Sequence, residues 1–299
     1  MRPELLQATE LLKRDTPESL EQAIGLLQRT VYSFSMKVCG HPEDAEDTTQ
    51  EVLSRSLRHL VKISEPKALA VWLYTVTRNR CWRMRRKDAR VAGKIFSLDE
   101  LMPDDAELAR MLQDASAGPE GNLLQAERHY QVHEAVLKIP PQLRIVLVLH
   151  DMEELSTDQV AQILGLQQGT VRVRLHRARL TLRKEMARGL NATSQPNGKA
   201  KGARKSKKQI DAASTRRPDA CREIFANLSE YLDNRVEPRS CEQMRRHIEA
   251  CPACVVFLQD LRHAIDRCRA AEISCDASVA SRLQALLTQE YLRMLTQSG

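Results

Sequence analysis

Apolar residues recur at helical spacing through most of this chain and alternate at strand spacing almost nowhere, which predicts an all-α protein. Val52, Leu53, Leu57 and Leu60 form one stripe, and Val160, Ile163 and Leu164 another. Val171, Leu175, Ala178 and Leu182 make a third, and Leu283, Leu286, Leu287, Tyr291, Met294 and Leu295 a fourth near the C-terminus. Start and stop signals sit where helices built on such stripes need them. Thr16 with Pro17 marks an N-cap and first helical position, because proline lacks only an N–H that is orphaned there anyway. Ser156 and Gln159 have the spacing of a capping box, with Leu155 placed to staple the helix start. Gly165 supplies the positive φ of a helix C-terminus.

The stretch from Leu155 to Arg179 therefore reads as two short helices around a tight turn, the second beginning near Thr170. Away from its apolar stripe the second helix carries Arg172, Arg174, His176, Arg177, Arg179 and Arg183. A helix-turn-helix that places a basic helix in a DNA major groove has this pattern, and so does a helical hairpin with a solvated basic face. A second basic helix lies upstream. Residues 70–90 interleave Trp72, Tyr74 and Trp82 with Arg78, Arg80, Arg83, Arg85, Arg86 and Lys87. Rings that stack on bases beside cations that follow phosphates suit single-stranded nucleic acid, although Trp72, Leu73 and Val76 also fit a core. Residues 41–60 open with Glu43, Asp44, Glu46 and Asp47, acids that favour the positive end of a helix dipole.

Composition refines this picture. The 299 residues, 42% of them hydrophobic and only 11 of them glycine, suffice for two or three helical domains. The net charge of +7 is concentrated in residues 191–220, where eight Lys and Arg face only Asp211 and Asp219, so a basic tether accounts for nearly all of it. Such a tether adds salt-sensitive attraction to nucleic acid or acts as a solubilising spacer. Residues 97–121 are acidic, with Arg110 alone against seven carboxylates. No apolar run is long enough to span a bilayer and no secretory signal opens the chain, which predicts a soluble, cytoplasmic protein.

Six of the eight cysteines crowd the last third of the chain, which in a cytoplasmic protein points to metal or redox chemistry before structural disulfides. His247, Cys251 and Cys254, spaced x3 and x2, put three soft or borderline donors around one helix start. A tetrahedral Zn2+ needs a fourth ligand, for which Cys221 is the choice and Cys241 the competitor.

Four segments, in order, carry a family resemblance: DAEDTTQEV at 44–52, WLYTVTRN at 72–79, IPPQLRIVLVLHDMEELS at 139–156 and VAQILGLQQGTVRVRLHRARLTLR at 160–183. Together they resemble the extracytoplasmic-function sigma factors of bacterial RNA polymerase, over roughly residues 15–188. The resemblance implies regions 2 and 4 of that family, core RNA polymerase (β′ and β subunits) and promoter DNA as partners, and a role in transcription initiation. By the same resemblance Asp44, Glu46, Asp47, Gln50 and Glu51 would dock on polymerase. Trp72, Tyr74, Arg78, Asn79, Arg80, Arg83, Arg85 and Arg86 would open the minus-10 element, and Thr170, Arg172, Arg174, His176, Arg177 and Arg179 would read the minus-35 element. Two departures, Val52-Leu53 after the acidic segment and Cys81-Trp82 after Asn79, mean that a minus-10 sequence preference does not carry over.

CREIFANLSEYLDN with the His-x3-Cys-x2-Cys motif, roughly residues 221–262, resembles zinc-binding anti-sigma domains, whose opening cysteine stands where Cys221 stands. The expected organisation is a region-2-like domain at 1–92, an acidic linker at 93–122, a region-4-like helix-turn-helix domain at 123–190, and a basic, flexible linker at 191–220. A zinc-binding anti-sigma-like domain at 221–265, with one structural Zn2+, and an amphipathic C-terminal helix at 266–299 complete it. The expected function is initiation by a sigma factor modulated in cis by an attached anti-sigma-like domain. The alternatives are a helix-turn-helix repressor or activator that does not bind core polymerase, and an interaction protein that uses the sigma blocks only for docking. No phosphate-cradling glycine loop or nucleophile–base pair suggests an enzyme, and no catalytic residue is assigned.

Overall fold

The computed structural model describes residues 2–14, 16–60, 63–85, 98–101, 107, 125–193, 219–233, 238–273 and 275–297. Most of the two expected linkers falls outside them, as do Arg86 and the side chains of Arg85, Leu57, Leu60, Tyr291, Met294 and Leu295. Every regular element among the described residues is helical, as the periodicity predicts. The chain forms two compact units that do not follow the order of the sequence blocks.

The first unit comprises Met1–Gly93, Pro140–Val171 and Arg269–Gly299. Its helices are α1 (Pro3–Leu12), α2 (Pro17–Cys39), α3 (Pro42–Leu60), α4 (Pro66–Arg85), α7 (Pro141–Leu147), α8 (Thr157–Leu164) and α13 (Ala277–Gln297). The Thr16 cap forms as expected, and Ser19 completes a capping box with it: the Ser19 N–H donates to Thr16 Oγ1 and the Thr16 N–H to Ser19 Oγ, each at 3.2 Å. At the far end of α2, Gly40 adopts φ 81° and lets the chain turn directly into α3. Leu5, Ala8, Ile24, Leu27, Phe34, Leu53, Leu73 and Tyr74 are buried between α1, α2, α3 and α4. Helix α7 widens into a π-helical turn at Val148–Met152, and Ser156 with Gln159 caps α8 as read from the sequence. Gly165 ends α8 at φ 64°. The C-terminal helix α13 packs on α2 and α3 and buries Leu283 and Leu287, while Leu286 is exposed.

The second unit comprises Lys94–Ile139 and Arg172–Cys268. It holds α5 (Leu98–Leu101), α6 (Gln125–Lys138), most of α9 (Gln168–Thr193), α10 (Asp219–Leu232), α11 (Pro238–Ala250) and α12 (Pro252–Ala270). Its core joins Cys221, Ile224 and Leu228 of α10, Met244 and Ile248 of α11, and Phe257, Leu258, Leu261 and Ile265 of α12 to Leu101 and to Leu180 of α9. The apolar stripe of α9 is buried as its spacing predicts, at Val171, Leu175, Ala178 and Leu182.

Candidate nucleic-acid interface and metal centre

The acids expected at a docking surface lie on α3. Asp47 and Gln50 are exposed and Asp44 is half-buried. Glu46 is paired with Arg282 of α13. Glu51 pairs with Arg55 at 2.8 Å and with Arg80 of α4 at 2.6 Å, so the acidic helix also braces the basic one.

Along α4, Asn79 and Arg83 are exposed, Trp72, Arg78 and Arg80 are half-buried, and Tyr74 is buried. Tyr74 therefore does not join the expected stacking surface. Its ring packs on Phe34, with 4.9 Å between centroids, and its hydroxyl donates to Glu153 Oε2 at 2.7 Å. Burial, reinforced by the Glu153 carboxylate, holds that phenol well above its ordinary pKa. The accessible ring is Trp82, 43% exposed, with the Arg78 guanidinium 5.7 Å from its centroid in a cation–π contact. An aromatic and its cation one helical turn apart share a face, which is what the interleaving of residues 70–90 required.

Helix α9 splits its arginines into two groups. Arg172 is exposed, and Thr170, Arg174 and Arg177 are half-buried, which leaves the first turns of the helix accessible. Arg179 and His176, both expected on the reading face, are buried instead. Arg179 is 0% exposed and bidentate on Asp233, with Nη1 to Oδ2 at 3.0 Å and Nη2 to Oδ1 at 2.9 Å. Nη1 also donates to Ser229 Oγ at 3.1 Å. A flat guanidinium meeting a carboxylate through two parallel hydrogen bonds is the strongest form of such a pair. One turn further, Arg183 bonds Glu107 at 2.9 Å and Asp260 at 3.1 Å, with its guanidinium 4.8 Å from the Phe257 ring centroid. Burial, then the charges of Arg179 and Arg177, lower the His176 pKa to about 4, so its imidazole is neutral at pH 7. For Arg179 the physical cause is its packing against the end of α10, as Arg183 packs against α12.

The metal-ligand residues converge. Sγ of Cys221, Cys251 and Cys254 and a ring nitrogen of His247 all lie within 4.8 Å of one another. Cys221 Sγ is 3.4 Å from His247 Nε2, 3.9 Å from Cys251 Sγ and 3.6 Å from Cys254 Sγ. Tetrahedral zinc with Zn–S bonds of about 2.3 Å requires sulfur atoms about 3.8 Å apart, so the donor set fits that ion. Cys241 stands outside the cluster, half-buried on α11. Burial acts to raise the Cys251 thiol, but hydrogen bonds from the Cys254 and Ala253 backbone and from its thiol neighbours bring it below its ordinary range. Burial and the Cys221 and Cys251 sulfurs push Cys254 up, because thiolates this close cannot all ionise unless a cation shares their charge.

Comparison with known proteins gives the same outline. Residues 24–91 match the family of sigma-70 region 2, residues 129–182 that of sigma-70 region 4, and residues 221–254 a zinc-finger family. The chain is 32% identical over 167 residues to an ECF RNA polymerase sigma factor, SigE of Mycolicibacterium smegmatis, covering 55% of this chain and 60% of that protein. It is 26% identical over 189 residues to the Bacillus subtilis ECF sigma factor SigW, covering 58% and 92%. To the RNA polymerase sigma-E factor of Streptomyces antibioticus it is 30% identical over 148 residues, covering 48% and 72%. Among the described residues no helix is long and apolar enough to cross a membrane.

Proposed function

The chain belongs to the extracytoplasmic-function RNA polymerase sigma factors, and from that premise we propose that it is a cytoplasmic initiation factor whose C-terminal block restrains it in cis. In this reading α3 docks on the β′ subunit of core RNA polymerase. Helix α4 opens the minus-10 element, and the first turns of α9 read the minus-35 element, with region 4 meeting the β subunit. Arg172, Arg174 and Arg177 supply the groove contacts there, since arginine reaches guanine edges through paired hydrogen bonds.

The observation that carries the restraint is the bidentate pair of Arg179 with Asp233. It ties the reading helix to α10, whose first turn holds Cys221. Cys221, His247, Cys251 and Cys254 would hold one structural Zn2+, and with all four positions taken by protein the ion supplies rigidity and no catalytic site. The pairing of Arg282 with Glu46 supports a second restraint, since it covers part of the acidic docking set with α13.

Run-off transcription with bacterial core polymerase tests the proposal on the full-length chain. Asp233→Ala and Arg282→Glu are expected to raise promoter-specific output above wild type, and most strongly in combination. Equal output from all four proteins would remove the restraint and leave the initiation role. DNA binding with no detectable polymerase binding would replace the initiation role with that of a repressor or activator.

A further inference from the structure

Along α9 the buried stripe and the arginines leave one apolar side chain over. Val171 and Leu175 are buried, and Val173 lies two residues from each, so at about 100° per residue it faces roughly away from both. It is 56% exposed, more than Leu6, Trp82 or Leu286, the other large apolar side chains that stay open among the described residues. Valine is also a weak helix former, because the preceding turn restricts its β-branched side chain. One turn earlier on the same face stands a second costly residue, Gly169, four positions before Val173. Glycine gives up backbone entropy in a helix, and it is kept there where a left-handed φ, tight packing or the close approach of a ligand demands it. Gly169 has neither of the first two reasons: its φ is not positive, and a Cβ there would meet open space.

The two residues share an accessible face. Thr170, Val173 and Arg177 follow one another along it at spacings of three and four, with Arg172 exposed and Arg174 half-buried beside them. Such a face suits a ligand that presents a small apolar group among hydrogen-bond acceptors and comes close where a side chain is missing. The major groove of DNA presents that combination at a thymine beside a guanine. The thymine C5 methyl is the apolar group, guanine O6 and N7 accept from arginine, and the neighbouring phosphate approaches the bare backbone of Gly169. A protein partner fits less well, because a single valine among cations offers no contiguous apolar patch to bury.

We propose that Val173 reads a thymine methyl in the minus-35 element and that Gly169 opens the approach of the same DNA strand. The proposal rests on the reading of α9 as the minus-35 helix and adds to it a specificity residue outside the arginine set. The element it implies places a thymine next to a guanine contacted by Arg172, Arg174 or Arg177.

The test uses the full-length chain bound to core polymerase and a library of random duplexes, from which the wild-type holoenzyme selects its preferred upstream element. Each thymine of that element is then replaced singly by uracil, which pairs alike and lacks only the methyl. Burying one methyl is worth roughly fourfold in an equilibrium. Wild type is therefore expected to bind about fourfold less tightly when uracil stands at one fixed position, and Val173→Ala to bind the thymine and uracil duplexes equally there. Val173→Ala should melt no lower than wild type, because alanine is the better helix former, and its affinity for core polymerase should not change. Gly169→Ala is expected to weaken both duplexes by the same factor, and an unchanged affinity would remove Gly169 from the interface. Indifference of wild type to every uracil, or a thymine preference that survives Val173→Ala, would overturn the proposal and leave α9 as the reader. Weaker polymerase binding by Val173→Ala would overturn it in favour of a protein contact. A holoenzyme that forms yet enriches no sequence would overturn the minus-35 reading and the proposal with it.

Discussion

Helices α4 and α9 are two arginine-rich helices of similar length that a sequence reading treats alike, yet only α9 buries some of its arginines completely. On α4 the charges stay near solvent: Arg83 is exposed, Arg78 lies over the half-exposed Trp82 ring, and Arg80 meets a carboxylate that is itself partly solvated. On α9, Arg179 and Arg183 are fully buried on carboxylates. The difference lies in the surroundings rather than in the helices. Only α9 lies against a second helical layer that carries Asp233 and Asp260 at the right heights. A basic helix is thus a nucleic-acid surface only over the turns that the rest of the chain leaves uncovered.

Removing the metal should have the largest effect on this contrast. Structural zinc sites contribute roughly 10–16 kcal/mol in small domains. Chelation is therefore expected to loosen α10 to α12 and to raise hydrogen exchange in α9 beyond Arg179, with α4 unchanged. Measurement by mass spectrometry should give one Zn2+ per chain before chelation, and a protected α9 in metal-free protein would break the link between cluster and helix. Next in size, Asp233→Ala strands Arg179 as a buried, uncompensated cation. Such losses cost about 3–5 kcal/mol, read by denaturant unfolding of the second unit.

His176 gives a pH signature to α9 that α4 lacks. Its folded pKa of about 4 lies below the ordinary value of 6.5, so the unfolded chain binds the extra proton first as pH falls. The stabilisation is complete above pH 6.5 and is lost between there and about pH 4, and it amounts to about 3 kcal/mol. His176→Gln should flatten the stability profile across that window; an unchanged profile would mean that the imidazole is solvated. The smallest effect belongs to α4. Glu51→Gln removes the partner of Arg80 in a partly solvated pair and should cost less than about 1 kcal/mol. A cost comparable to that of Asp233→Ala would erase the distinction between the two helices.

What was legible in the sequence depended on range. The N-cap at Thr16, the capping box at Ser156, the left-handed Gly165 and the buried stripe of α9 are settled by neighbours three or four residues away, and each formed as read. The cluster of His247, Cys251 and Cys254 was legible for the same reason, and the resemblance to zinc-binding anti-sigma domains pointed to Cys221 over Cys241. Arg179 was misplaced on the reading face because its partner lies 54 residues on, beyond a long basic stretch with no periodicity. Tyr74 was misplaced in the same way: nothing near it announces Glu153, 79 residues away. The one local hint was a charged pair, Glu153-Glu154, inside a turn where solvent exposure would be the ordinary expectation.

Helix positions, their caps, the helix-turn-helix and three of the four metal-ligand residues follow from local hydrogen bonding, side-chain period and ligand spacing, which any reader of the chain can count. Which charges face solvent and which are buried as pairs was settled only when helices distant in sequence packed together. Burying a guanidinium or a carboxylate is unfavourable without its partner, and the partner exists only in three dimensions.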